Sequence, residues 1–91
     1  MSDELRYECS EDVLCQEVNG ELVLLDVRQE AYFGLNPVGA RIWELLKEQQ
    51  SEAFIVEQLE KEYEVDQAVL VRDVRELVES LEQAGLVRPK A

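Results

Sequence analysis

The sequence predicts an α+β domain in which a three-stranded antiparallel sheet is followed by three helices, in the order β-β-β-α-α-α. The first third of the chain alternates short β-type apolar segments with turn residues, and the rest carries apolar residues at helical spacing behind capping residues. Short connections would gather the helices on one face of the small sheet. A winged-helix-like arrangement is the nearest common architecture.

The predicted sheet is a meander with two turns. Val13–Val18 is compatible with a strand, and Asn19-Gly20 is the pair best suited to a type I′ hairpin turn. Residues 21–27 follow as a strand that is apolar on both faces, which is typical of a sheet packed on each face, or on one face and an edge. After a turn over residues 28–31, residues 32–35 form a short, aromatic-rich third strand. Because this strand comes last, we expect it to be an edge strand.

Capping residues predict where the helices begin. The predicted helices span residues 37–49, 52–63 and 67–84. Asn36 and Pro37 suit the N-cap and the first helical position, and Ser51 and Asp66 suit the other two N-caps. Gly39 lowers helix propensity by about 1 kcal/mol relative to Ala, so we expect a close backbone approach there, to the sheet.

The third helix carries an unusually wide apolar arc. Its members are Leu70, Val71, Val74, Leu77, Val78 and Leu81. Val69 and Asp73 lie on one flank of the arc, and Gly85 is the expected left-handed terminator of the helix.

Pattern and length indicate one domain. Residues 1–11 are acidic and weakly patterned and are expected to form a flexible arm, residues 12–87 the folded domain, and residues 88–91 a fraying tail. The start of the chain lacks the features of a signal peptide, and no apolar run reaches the roughly 20 residues of a membrane span. We therefore expect a cytoplasmic protein with no membrane partner.

The charge balance argues against nucleic acid as a partner. Nine basic and twenty-one acidic residues give a net charge of −12, which repels a polyanion. The second predicted helix offers only Lys61, and the third offers Arg72 and Arg75, each helix against four carboxylates. A winged-helix transcription regulator is therefore a disfavoured alternative.

The sequence offers no catalytic constellation. Histidine is absent, the serines have no partner suited to activate them, and the four glycines form no phosphate-binding loop. Cys9 and Cys15 are expected to be free thiols, a disulfide or a metal role being less favoured. We expect no enzyme activity, no cofactor and no metal.

An edge strand beside an apolar helix is a possible peptide-binding site. The exposed N–H and C=O groups of such an edge accept an extended segment as a further strand. The pattern alone leaves open whether Tyr32, Phe33 and the apolar arc form this site or belong to the core.

Two motifs extend the interpretation. Residues 32–43, Y-F-G-L-N-P-V-G-A-R-I-W, resemble the Y-F-x-L-N-x-x-G-x-x-I-W core of the PqqD-like family. Residues 73–86 match that family's ending, D-V-x-x-L-x-x-x-L-x-x-x-G-L, and the resemblance covers about residues 12–87. The pairs Tyr32-Phe33 and Ile42-Trp43 look most like stand-alone members from lasso-peptide gene clusters.

The resemblance implies a RiPP recognition element, which is a non-catalytic binding protein for ribosomally made, post-translationally modified peptides. Such a protein binds the leader segment of a precursor as a strand between its third strand and third helix. It then presents the precursor to a separate leader peptidase and a macrolactam cyclase. The alternative in the same family is a peptide chaperone of pyrroloquinoline quinone biosynthesis.

The resemblance also implies site residues. The backbone of Ala31, Tyr32, Phe33, Gly34 and Leu35 would pair with the leader. The walls would come from Leu24, Tyr32, Phe33, Val69, Leu70, Asp73, Val74 and Leu77. Asp73 is the candidate for a specific polar contact, its alternative being a surface or helix-capping carboxylate. Leu35, Ile42, Trp43 and Leu45 are expected in the core, and Asn36 as a cap.

Overall fold

A computed structural model describes residues 6–90. Its strands and helices are β1 (Tyr7–Cys9), β2 (Val13–Val18), β3 (Glu21–Asp26), β4 (Ala31–Leu35), α1 (Pro37–Lys47), α2 (Glu52–Glu62), α3 (Gln67–Gln83) and β5 (Val87–Pro89). The predicted α+β order is confirmed for β2 to α3. Strands β2-β3-β4 form an antiparallel sheet in that order, and β1 pairs with β5 in a separate two-stranded sheet.

Both hairpins of the three-stranded sheet depend on left-handed residues. Asn19 and Gly20 have φ values of 52° and 84° between the paired residues Val18 and Glu21, as the Asn-Gly pair predicts. The β3–β4 turn contains Glu30 at φ 56°.

The predicted N-caps are confirmed. Asn36 Oδ1 accepts from the Gly39 amide at 2.8 Å, Ser51 Oγ accepts from the Phe54 amide at 3.1 Å, and the Asp66 carboxylate caps α3. Each helix ends one or two residues earlier than predicted, which is the usual uncertainty of a helix end. Gly85 has φ 79° and terminates α3 as expected.

The core lies between the helices and the inner face of the sheet. Its fully buried large side chains include Leu24 and Leu46, and the expected core residues Leu35, Ile42, Trp43 and Leu45 are all buried. The close approach at Gly39 is also present, because a Cβ there would lie 3.4 Å from the Leu35 side chain.

The predictions of a flexible arm and of a fraying tail are wrong for residues 7–9 and 88–89, respectively. Tyr7–Cys9 pairs antiparallel with Val87–Pro89, and the Tyr7 ring is 1% exposed within the core. Its hydroxyl donates to Glu52 Oε2 at 2.9 Å. Burial of a large aromatic ring and the mutual pairing of β1 and β5 hold both segments on the domain. The rest of the predicted arm, residues 1–5, and Ala91 lie outside the described residues.

The outer face of the sheet is not covered by any element among residues 6–90. Leu14, Leu25 and Tyr32 form one cross-strand row on this face and are 59%, 39% and 78% exposed. Packing on each face of β3 is therefore not observed within residues 6–90, where its inner face is covered and its outer face is open. In the described part of the chain, no helix is long and apolar enough to span a membrane.

Candidate functional site

Strand β4 is an edge of the three-stranded sheet, as predicted. Within residues 6–90 no strand pairs with its second side, since β1 pairs with β5 instead. This edge is therefore open to an added strand.

The hydrogen-bond pattern of β3 determines the orientation of the β4 backbone. The Val27 amide donates to the Asp12 carbonyl oxygen at 3.0 Å, just beyond the end of the β2–β3 pairing. Hydrogen-bonded and non-hydrogen-bonded pairs alternate along antiparallel strands. Odd-numbered residues of β3 therefore bond to β2, and even-numbered residues such as Leu24 bond to β4.

This alternation identifies the free backbone groups of the edge. Leu24 pairs with Phe33, so Phe33 and its alternate neighbours on β4 bond to β3. The N–H and C=O groups of Tyr32 and Gly34 point away from the sheet. Of the five residues expected to pair with a peptide, these two present their backbone to it.

The side chains of β4 point alternately to the inner and the outer face of the sheet. Phe33 and Leu35 share the inner face with Leu24, and Phe33 is half-buried. Tyr32 lies on the outer face, beside Leu25. A strand added to this edge would direct alternate side chains to the two faces in the same way.

A groove of about 470 Å³ runs between β4 and α3. Its lining residues are Phe33, Gly34, Leu35, Asn36, Val38, Gly39, Ile42, Val65, Leu70, Asp73, Glu76, Leu77 and Ser80. The floor is apolar, and the α3 rim is polar. The groove therefore combines a surface for apolar side chains with a free strand edge along one side.

The structure brings six of the predicted site residues together in this groove. They are Phe33, Gly34, Leu35, Leu70, Asp73 and Leu77. Ala31, Tyr32 and Val69 lie outside its lining, Ala31 and Tyr32 being on the same edge strand.

The prediction that Leu24 and Val74 form walls of the site is wrong, because their side chains are not accessible from the groove. Leu24 is 0% exposed and Val74 is 1% exposed, and neither lines the groove. Leu24 lies on the inner face of the central strand, and Val74 on the side of α3 that packs into the core. Both therefore support the groove from beneath.

The part of the groove floor that comes from α1 was not predicted from the sequence. Val38 and Ile42 stand one helical turn apart and line the groove together with Gly39. Their spacing predicts an apolar helix face, of which Ile42 is expected in the core and neither residue in the groove. The conspicuous Gly39 was the one available signal that β4 and α1 meet at this place.

Asp73 is positioned as a rim residue. Its carboxylate is 51% exposed, and its Oδ1 lies 3.7 Å from Arg72 Nε. The N-cap of α3 is Asp66, so the capping alternative for Asp73 is wrong. A half-exposed carboxylate on the rim of an apolar groove can accept a hydrogen bond from an occupant.

The two cysteines are free and differ in environment. Cys15 is exposed, and Cys9 is half-buried. Burial raises the pKa of the Cys9 thiol to about 11, which keeps it protonated near neutral pH. The expectation of free thiols is confirmed.

Comparison with known proteins agrees with this geometry. The sequence profile of the family described as "Coenzyme PQQ synthesis protein D (PqqD)" matches residues 21–87. The chain belongs to the PqqD family. No curated protein gives a significant match.

Two solved structures resemble this PqqD-family chain closely. "TbiB1 in Complex with the TbiA(beta) Leader Peptide" is 36% identical, with a TM-score of 0.81 over 92% of this chain and 98% of that chain. "Lasso peptide synthetase B1 complexed with the leader peptide" is 31% identical, with a TM-score of 0.81 over 91% and 98%. Each of these relatives is bound to a leader peptide.

Proposed function

We propose that this protein is a RiPP recognition element that binds the leader segment of a lasso-type precursor peptide as a fourth strand along β4. The open edge of β4 beside an apolar groove is the observation that carries the proposal. Membership of the PqqD family and the similarity to two leader-peptide complexes, one of them of a lasso peptide synthetase B1, support it.

Backbone pairing would supply sequence-independent affinity. An antiparallel or parallel guest strand would bond to the outward N–H and C=O groups of Tyr32 and Gly34. A side chain at position 34 would point to the outer face of the sheet, beside that of Tyr32, and would leave the free edge unobstructed. No heavy atom other than its neighbours lies within 4 Å of a Cβ built at Gly34.

Side-chain pockets would supply specificity. Guest residues that face inward enter the groove and contact Phe33, Leu70 and Leu77, while Asp73 makes a polar contact on the α3 rim. Inward residues alternate with outward ones and stand about 7 Å apart. The preferred leader segment therefore carries apolar residues at i and i+2.

The protein would act by presentation and not by catalysis. We propose that the bound leader is delivered to a separate leader peptidase and a macrolactam cyclase, which carry out the chemistry. Strand addition leaves the rest of the precursor outside the groove, where such enzymes can reach it.

A second candidate is a chaperone for the pyrroloquinoline quinone precursor, because the matching family profile is described as a protein of coenzyme PQQ synthesis. One of the two structural relatives is a lasso peptide synthetase B1 bound to a leader peptide, which favours the first candidate. Competition between a lasso-type leader and a pyrroloquinoline quinone precursor peptide for the same protein distinguishes the two.

Replacing Gly34 with Pro tests strand addition directly. Proline removes an N–H that faces the free edge and spares the β3–β4 ladder, so Gly34→Pro is expected to fold. Loss of this hydrogen bond, together with the bulk of the ring, should weaken leader binding at least about tenfold. Fluorescence anisotropy with fluorescein-labelled TbiA(beta) leader peptide measures the Kd, and the leader of a lasso-type precursor identified by a search of the neighbouring genes serves as a second probe.

Gly34→Ala is the matched control, because it keeps the N–H and meets no neighbouring atom. We expect its Kd to stay within about twofold of wild type. Absence of saturable binding of either leader to the wild-type protein up to about 100 µM would refute the proposed function. Equal binding by the Pro and Ala variants would refute pairing at this edge.

A further inference from the structure

The two walls of the groove are joined by a single polar contact. Among residues 6–90, one hydrogen bond connects the three-stranded sheet to α3, and no ion pair does. It runs from Gln29 Nε2 in the β3–β4 turn to the carbonyl oxygen of Ala84, at 3.3 Å. Ala84 is the C-cap of α3.

A buried carboxylate orients the Gln29 amide. Asp26 is 5% exposed, and its Oδ2 accepts from Gln29 Nε2 at 2.8 Å. Its Oδ1 accepts from the backbone amides of Arg28 at 3.0 Å and Gln29 at 3.4 Å. A buried carboxylate satisfied in this way fixes the turn and aims the Gln29 side chain at α3.

The end of α3 is suited to receive this amide. The last carbonyl groups of a helix lack intrahelical partners and carry partial negative charge, so a donor is favourable there. Gly85 leaves room for it, because a Cβ at this position would lie 3.3 Å from Gln29 Nε2. Donor, acceptor and space therefore coincide.

The contact lies just beyond one end of the groove. Phe33 is the first β4 residue in the lining and Ser80 the last on α3, whereas Gln29 precedes β4 and Ala84 follows α3 by one residue. At the opposite end, β4 continues through Asn36 directly into α1. The chain itself thus fixes one end of the groove, and the Gln29 contact fixes the other.

We propose that Gln29 is a positioning residue for peptide binding, which holds the β4 edge at the distance from α3 that a guest strand requires. It acts through Asp26 and Ala84 and does not itself touch the peptide. This inference rests on the proposed function. Without the contact, the β3–β4 hairpin moves relative to α3, and the peptide must order it on binding, which lowers affinity.

The test compares Gln29→Met with wild type in the full-length protein. Methionine keeps the length of the side chain and removes both donated hydrogen bonds. We expect the Kd for the labelled TbiA(beta) leader peptide at 10 °C to rise about three- to tenfold. Amide hydrogen exchange over residues 27–35 of the free protein should accelerate, because the hairpin loses its tether. The Tm should fall by a few degrees, because the buried Asp26 carboxylate loses a hydrogen-bond partner, and at 10 °C the variant should remain folded.

Two further variants separate positioning from other effects. Gln83→Met makes the same chemical change at an exposed site on the last turn of α3 and should bind like wild type. Gln29→Lys restores a donor, and its ammonium group can donate hydrogen bonds to both Asp26 and the Ala84 carbonyl oxygen. Its Kd should therefore lie within about twofold of wild type.

The same binding measurements distinguish a failure of the proposed function from a failure of the positioning role of Gln29. If wild type binds neither leader probe, the proposed function fails. If wild type binds and Gln29→Met binds equally well, or if Gln29→Lys binds as weakly as Gln29→Met, the positioning role of Gln29 is wrong and the proposed function stands.

Discussion

At the scale of single residues, α1 and α3 end in the same way with different side chains. The Gln50 amide donates to the Leu45 carbonyl oxygen at 3.1 Å, which closes a Schellman motif with Gln49 in the left-handed position at φ 63°. Gly85 occupies the equivalent position of α3 at φ 79°. Only the glycine adopts this conformation without a steric cost.

Replacing Gln49 with Gly should therefore stabilise the protein. We expect the free energy of unfolding to rise by about 0.5–1 kcal/mol, because relief of the left-handed strain outweighs both the added chain entropy and the lost contact between the Gln49 side chain and Lys90. Urea denaturation followed by the fluorescence of Trp43, the single tryptophan, measures it.

Gln50→Gly is the matched control, since Gln50 has no positive φ. It should lower stability by about 0.5–1 kcal/mol through chain entropy alone. Destabilisation by both glycines would contradict the strain argument.

At the scale of elements, one bidentate ion pair joins α1 to the end of α2. Arg41 Nε lies 3.0 Å from Glu62 Oε1 and Arg41 Nη2 2.9 Å from Glu62 Oε2, while Nη1 reaches Glu44 Oε1 at 3.0 Å. Hydrogen bonding to Arg41, and secondarily to Gln58, holds the pKa of Glu62 below its ordinary value of 4.5. The ionised form of Glu62 is thus favoured by folding.

The lowered pKa of Glu62 determines how the stability of the protein changes with pH. The stability that this pair contributes is fully present above pH 4.5 and is lost as the pH falls through the lower pKa of the folded state. Arg41→Met should therefore lower the Tm by a few degrees at pH 6–8 and by progressively less below pH about 4.5. Thermal unfolding across this pH range measures the difference.

Arg28→Met is a suitable control, because Arg28 lies 3.6 Å from Asp12 in an exposed pair. Its Tm difference from wild type should be small at every pH. An Arg41→Met difference that grows on acidification would contradict the assignment.

The elements differ in how far the sequence could predict them. The starts of the three helices could be predicted from Asn36, Ser51 and Asp66, because an N-cap needs a side-chain hydrogen-bond acceptor that few residue types provide. Strands β1 and β5 have three residues each and pair across about eighty residues of chain. Three residues are too few to show a period, and no local signal reports a partner so distant.

The candidate site, like the elements, could be predicted only in part. The edge position of β4 follows from chain order, and Leu70, Asp73 and Leu77 follow from helical spacing and the family resemblance. The burial of Leu24 and Val74 does not follow, because spacing identifies an apolar face without saying which of its residues another element covers. The same ambiguity concealed Val38 and Ile42, whose helix supplies both core and groove.

At the scale of the whole molecule, shape and charge point to different partners. Three helices packed on a small sheet resemble a winged helix, yet the net charge is −12. The arginines of α3 are already engaged, Arg75 with Glu52 at 3.3 Å and Arg72 with Asp73 at 3.7 Å. The helix that would read DNA in a winged helix here forms a wall of the groove that we propose for the peptide.

We therefore expect no binding to duplex DNA. Phosphate contacts supply most of the affinity for DNA, and low salt strengthens them, so a mobility-shift assay at about 50 mM salt is the most permissive test of a regulator function. An uncharged or basic peptide avoids the repulsion that DNA meets, and leader binding should persist in the same buffer. A DNA shift that survives competitor DNA and is displaced by the leader peptide would overturn this view, because it would show that the α3 face accepts a polyanion.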